Sequence, residues 1–157
     1  DTWAETPPMA FPRQYHSVAL LLADGRVFVS GGVDASLGFG AAGNQKTSEI
    51  YTPQYLSNGP GPHIAVAPAS ATYGDIVQVD SPDAGSVVKA CLVAPGTITH
   101  HTDTQQRHIL LSIQAQAAGS LDIRMPGTAN LAPPGIYMLF LIDDTGAPSV
   151  GRFIQLE

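Results

Sequence analysis

The side chains best suited to chemistry are one tyrosine and a scatter of histidines: Tyr15 with His16, then His63, His100, His101 and His108. Tyr15 and His16 stand at the entrance to the apolar run Val18-Ala19-Leu20-Leu21-Leu22. Successive residues of a strand point to opposite faces. A phenol and an imidazole side by side therefore share a target only where the backbone bends, as at a strand end. His100 and His101 lie in residues 95–104, a loop between two strand-like runs, and loops carry function more often than scaffolds do. One imidazole from that loop meeting Tyr15 and His16 gives three N/O donors with an open position, a set suited to copper as Cu(II) or to another borderline metal. The bland readings are sheet packing for Tyr15-His16 and solvated loop side chains for His100-His101. His108 falls on the non-core face of its strand and His63 beside a Gly-Pro segment, so both are expected at the surface.

Other chemistries find little support. The net charge of −6 with no basic cluster argues against nucleic acid and anionic membranes as partners. No nucleophile elbow or P-loop occurs, and the Gly-rich residues 38–43 do not join a strand to a helix, which argues against a phosphate cradle. Asp143-Asp144 reads as a turn rather than a catalytic pair. Cys91 is the only cysteine, so neither an intrachain disulfide nor a cysteine-based zinc site can form; it is expected to be a small buried strand residue. No signal peptide is evident, and no apolar run reaches the ~18 residues of a membrane span. The first residue is Asp1 rather than Met, which fits a processed chain or a fragment.

The elements that must position these groups are strands. Few lysines, many Gly and Pro, and frequent Val, Ile, Thr and Tyr favour an all-β chain of 157 residues. Residues 1–12 form an extended lead-in with Trp3 as a packing residue, and residues 18–32 a hairpin turning at Asp24-Gly25. A Gly/Ala/Ser-rich connection over 33–48 follows, then a short strand at Glu49-Ile50-Tyr51. Ser57-Asn58-Gly59-Pro60-Gly61-Pro62 is the best linker candidate. Beyond it, strands are expected at 73–80, 86–93, 107–116, 120–125, 136–142 and 152–156. Ile109, Leu111, Ile113 and Ala115 share one face, and residues 136–142 are apolar on both faces, as in a central strand. That spacing predicts an immunoglobulin-like β-sandwich. The first strands look instead like one propeller blade, which cannot bury both of its faces alone.

Four segments carry a family likeness: Tyr15-His16-Ser17 running into Leu20-Leu21-Leu22-Ala23-Asp24-Gly25-Arg26-Val27; Ile50-Tyr51-Thr52-Pro53-Gln54-Tyr55-Leu56; Gly96-Thr97-Ile98-Thr99-His100 with Gln106-Arg107; and 131–140, Leu-Ala-Pro-Pro-Gly-Ile-Tyr-Met-Leu-Phe. In these the chain resembles the carboxy-terminal part of the copper radical oxidases, the galactose oxidase and glyoxal oxidase family. The resemblance implies a terminal kelch-blade segment over 1–56, a linker over 57–62, and an early-set immunoglobulin-like sandwich over 63–157. It implies Tyr15 as axial copper ligand and base for the substrate hydroxyl proton, His16 and His100 as equatorial ligands, and no role for His101. The implied reaction is oxidation of a primary alcohol or aldehyde by O2 to give H2O2, on a small alcohol, aldehyde or carbohydrate, in a secreted protein. The family's radical cofactor, a tyrosine cross-linked to a cysteine, belongs to propeller blades outside the matched region; Cys91 is not that cysteine. The implied partner is the rest of the propeller, and the isolated chain is expected to be inactive. The competing expectation is a non-catalytic sandwich module for carbohydrate or protein contacts, which calls for an exposed aromatic platform.

Overall fold

Alternation of Val, Ile and Leu with polar residues, punctuated by Gly and Pro, produces strands almost throughout the computed structural model, which describes residues 5–37, 43–100 and 102–157. The expectations for Trp3, His101 and residues 38–42 lie outside the described residues. A small antiparallel sheet comes first: β1 (Ser17–Leu21), β2 (Val27–Gly31) and β3 (Ser48–Tyr51), in that spatial order. Its hairpin closes through Leu22 N–H to the Arg26 carbonyl at 2.8 Å, with Gly25 at φ +81°. The 33–48 connection is partly built: Val33 bridges Asn44, and Asp34 N–H donates to the Gly43 carbonyl.

The larger sheet comprises β4 (Ser70–Ala71), β5 (Ile76–Asp80), β6 (Val87–Val93), β9 (His108–Ala117), β10 (Ser120–Arg124), β11 (Gly135–Asp143) and β12 (Arg152–Leu156). A separate two-stranded hairpin, β7 (Ile98–Thr99) and β8 (Thr102–Asp103), lies between β6 and β9 in the chain. The spatial order of the large sheet is β4-β12-β11-β6-β9-β10-β5. Strand β9 joins the layers, pairing through His108–Leu111 with β6 and through Ser112–Ala117 with β10. Val77, Val79, Leu121 and Ile123 from one layer share a core with Ala90, Leu92, Leu139, Leu141, Ile154 and Leu156 from the other. This is the predicted all-β sandwich. Strand β11 is central, with Tyr137–Leu141 buried, as its two-faced apolar composition requires. Ile109, Leu111 and Ile113 pack on the core, whereas Ala115 is exposed, because β9 has by then left the shared core. The 73–80 run is shorter than predicted: Asp75 accepts from Thr72 N–H, making a turn before Ile76.

The hairpin of the small sheet is docked on the outer face of the sandwich. Leu21 and Ala23 pack against Cys91, Met138 and Phe140, and Gly151 N–H donates to the Ala23 carbonyl at 2.7 Å. Tyr55 O–H reaches the Gly25 carbonyl. The Gly-Pro segment is fastened too: Asn58 Nδ2 donates to the Thr145 carbonyl, and Gly61 lies so close to Pro148 that a Cβ there would stand 1.9 Å from the Pro148 carbonyl oxygen. A Gly61→Ala chain must pull this contact apart, at a cost of about 1–3 kcal/mol. The expected readout is a lower urea midpoint with unchanged slope.

Asp143 organises the turn that Gly61 rests on. Its Oδ1 accepts from Thr145 Oγ1, Thr145 N–H and Ala147 N–H, so it is a turn residue, as its sequence predicted. Those donors, the Thr145 hydroxyl foremost, hold its carboxyl below the ordinary value of 3.8. The unfolded chain therefore binds this proton more readily than the folded one. The contribution is complete above pH 3.8 and is lost as pH falls through the lower folded value. Thermal scans on acidification should show falling Tm in that range, and an Asp143→Asn chain should show a shallower fall.

Candidate metal centre

Tyr15 and His16 occupy the two corners of a β-turn from Gln14 to Ser17, closed by Ser17 N–H to the Gln14 carbonyl at 3.1 Å. His16 has φ +67°. Positive φ at the third position characterises a type II turn, where glycine is usual. This is the bend that lets neighbouring side chains aim at one place. Gly31 and Gly32 make room for it: a Cβ on Gly31 would meet the His16 carbonyl at 3.1 Å, and one on Gly32 the Arg13 backbone at 3.2 Å.

Arg13 secures the turn from below, a role that its position two residues before Tyr15 did not reveal. Its side chain is fully buried beside Glu49. The guanidinium donates to Glu49 Oε1 at 3.0 Å, Thr47 Oγ1 at 2.7 Å and the Gly31 carbonyl at 3.0 Å. Glu49 Oε2 in turn accepts Ala10 N–H at 2.8 Å. The lead-in segment is thus tied to β2 and β3 through the ion pair. The Ala10 N–H first, and then Arg13, hold the Glu49 carboxyl below its ordinary value.

His100 arrives on an arm that sequence periodicity read as a loop. Strands of two residues are too short to show a pattern, yet β7 and β8 pair as Ile98↔Asp103 and Thr99↔Thr102. His100 directly follows β7 and has φ +51°, a left-handed conformation that turns the chain. Asp103 Oδ1 brackets the arm by accepting from Thr97 N–H at 3.0 Å and Gln105 N–H at 2.9 Å. The arm lies along β1, where Gly96 touches Leu20: a Cβ on Gly96 would stand 3.0 Å from Leu20 Cδ2. From that contact, four residues lead back along β1 to His16 and four lead along the arm to His100. The two imidazoles thus lie the same number of residues from one shared contact.

The three rings converge. Centroid separations are 4.0 Å for Tyr15–His16, 4.7 Å for His16–His100 and 5.8 Å for Tyr15–His100. All three residues are exposed, Tyr15 by 43%. Among the described residues His16 and His100 are the only non-glycines with positive φ. Each left-handed residue costs on the order of 1 kcal/mol, and such conformations concentrate at functional sites. The set suits a borderline cation: two imidazole nitrogens, a phenol oxygen and an open side. Among the described residues no group of three His, Cys, Asp or Glu could hold a metal; here the third donor is a phenol.

The remaining candidates stand apart. His63 and His108 are exposed and outside the cluster. Cys91 is buried, its thiol pushed up to about 11 by desolvation. Tyr55, Tyr73 and Tyr137 donate their hydroxyls to the Gly25, Ala132 and Pro133 carbonyls; Tyr137 is buried, and Tyr51, Tyr55 and Tyr73 are half-buried. Among the described residues no helix is long and apolar enough to cross a membrane.

Comparison with known proteins gives the family. The galactose oxidase-like early-set domain family matches residues 61–156. Galactose oxidase of Gibberella zeae is 34% identical over 99% of the chain and 23% of its own length. Aldehyde oxidase GLOX1 of Arabidopsis thaliana is 31% identical over 97% of the chain and 27% of its own length. The chain thus spans about a quarter of the curated relatives it matches. A fungal alcohol oxidase of the AA5 family, solved in complex with copper, superposes with a TM-score of 0.82 at 28% identity, over 96% of this chain and 32% of its own.

Proposed function

The chain belongs to the galactose oxidase-like early-set family, and from that premise we propose that it forms the carboxy-terminal part of a copper radical oxidase and supplies three of its copper ligands, Tyr15, His16 and His100. The observation that carries this reading is the convergence of the three rings from two different sheets, with both imidazoles held in left-handed backbone. Relatives and a structural neighbour described as galactose, aldehyde and alcohol oxidases support it.

His16 and His100 would hold the metal through ring nitrogens. Tyr15, an exposed phenol beside them, would complete the donor set and take the proton of a substrate hydroxyl. Bound copper supplies a one-electron acceptor and a Lewis acid. Oxidation of a primary alcohol releases two electrons, and O2 takes both to become H2O2. The second electron calls for another one-electron group, which the family resemblance assigns to a tyrosine cross-linked to a cysteine in the propeller; Cys91, buried in the sandwich, is not that cysteine. The partner is the remainder of a kelch propeller, of which residues 1–56 are the last blade and the sandwich over 63–157 is the neighbour joined through 57–62. Its substrates are small alcohols, aldehydes or carbohydrates, and its location is extracellular.

The test is a Cu(II) titration of the chain followed by electron paramagnetic resonance. One equivalent bound with hyperfine coupling from two nitrogens is the expected result. Binding without nitrogen coupling, or none, overturns the reading.

A further inference from the structure

Thr99 Oγ1 lies 2.7 Å from His100 Nδ1. We propose that Thr99 is a positioning residue that selects the His100 tautomer, its hydroxyl accepting the Nδ1 proton so that the lone pair is left on Nε2; the consequence for copper rests on the function proposed above.

The geometry limits the alternatives. Thr99 and His100 are neighbours in the chain, and a hydroxyl meets an adjacent ring only if the backbone turns between them. The left-handed φ of +51° at His100 provides that turn. Thr99 is itself fixed, because β7 pairs it with Thr102 and the Asp103 carboxylate brackets the base of the arm. The hydroxyl is therefore a held group at the first ring nitrogen. Nδ1 is engaged, so Nε2 is the nitrogen left for a cation, and a cation needs its lone pair. A hydroxyl both donates and accepts, and only the accepting role gives the neutral ring an open Nε2. Partners of this kind fix the ring and raise its basicity, and losing one typically costs 10–100-fold in metal affinity.

The test uses Thr99→Val, which keeps the β-branched shape without the hydroxyl, and Thr99→Ser, which keeps the hydroxyl. Thr99 is exposed, so neither change should alter Tm by more than a few degrees. Long-range 15N–1H correlation spectra of the metal-free chain, at a pH where the ring is neutral, report which nitrogen carries the proton. The expected result is Nδ1–H in the parent and Thr99→Ser chains and a tautomer mixture in Thr99→Val. Copper affinity, by competition with a chelator, should fall about tenfold in Thr99→Val and stay near the parent value in Thr99→Ser. Nε2–H in the parent chain, or a Thr99→Val spectrum identical to it, overturns the proposal whatever copper does. Tautomer selection by Thr99 in a chain that binds no copper supports the proposal and overturns the copper reading instead.

Discussion

Replacing His100 with Asn is expected to weaken Cu(II) binding by at least about 100-fold and to remove one nitrogen from the hyperfine pattern, because even a hydrogen-bond partner of a ligand is worth 10–100-fold. Asn is the informative choice. It adopts left-handed backbone more readily than Ala, so φ +51° is kept and only the imidazole is lost. His16→Asn, at φ +67°, should behave alike. Both sites are exposed, so thermal stability should hardly move. His63→Asn and His108→Asn serve as controls and should titrate like the parent. Affinity unchanged in either ligand variant would falsify the assignment of that histidine.

Arg13→Met should act on stability and on the site together. It leaves Glu49 and the Gly31 carbonyl without their buried partner. The guanidinium is fully buried but Glu49 is 26% exposed and can be rehydrated, so the cost falls short of breaking a fully buried pair. A fall in Tm of a few degrees is expected. Copper affinity should fall by about tenfold as well, because the turn bearing Tyr15 and His16 loses its support and must pay for its ordering on binding. The parent's advantage should also depend on pH. Glu49 has its folded value below the ordinary 4.5, so its contribution is complete above that pH and fades as pH drops through the lower folded value. A Tm difference between parent and Arg13→Met that persists undiminished in strong acid would point to packing alone.

The sandwich was legible because its strands β5, β6, β9, β10, β11 and β12, of five to ten residues, are long enough to show their period. The hairpin announced itself through Asp24-Gly25 between apolar runs. The three candidate ligands were reachable from residue type and the bend expected at a strand end, with the family likeness adding His100 in particular. What supports them was hidden. Arg13 looks like any lead-in arginine until Glu49 and Thr47, more than thirty residues away, close around it. The β7–β8 arm has too few residues per strand to signal itself. The Gly-Pro segment reads as a loose tether, yet close packing of Gly61 on Pro148 makes it a fitted joint. Sequence separation concealed the first, brevity the second, and a contact made by a missing side chain the third.

The equal steps from the Leu20–Gly96 contact have a bearing on how such a chain can change over generations. One imidazole is encoded in the small sheet and the other in the arm of the sandwich, and neither piece contains a site. Recombination that moves the sandwich to a new partner strands His100 without a counterpart. On the function proposed above, a residue inserted in either path would move one imidazole away from the other. That function would therefore tie the two pieces together and fix the chain lengths between Leu20 and His16 and between Gly96 and His100.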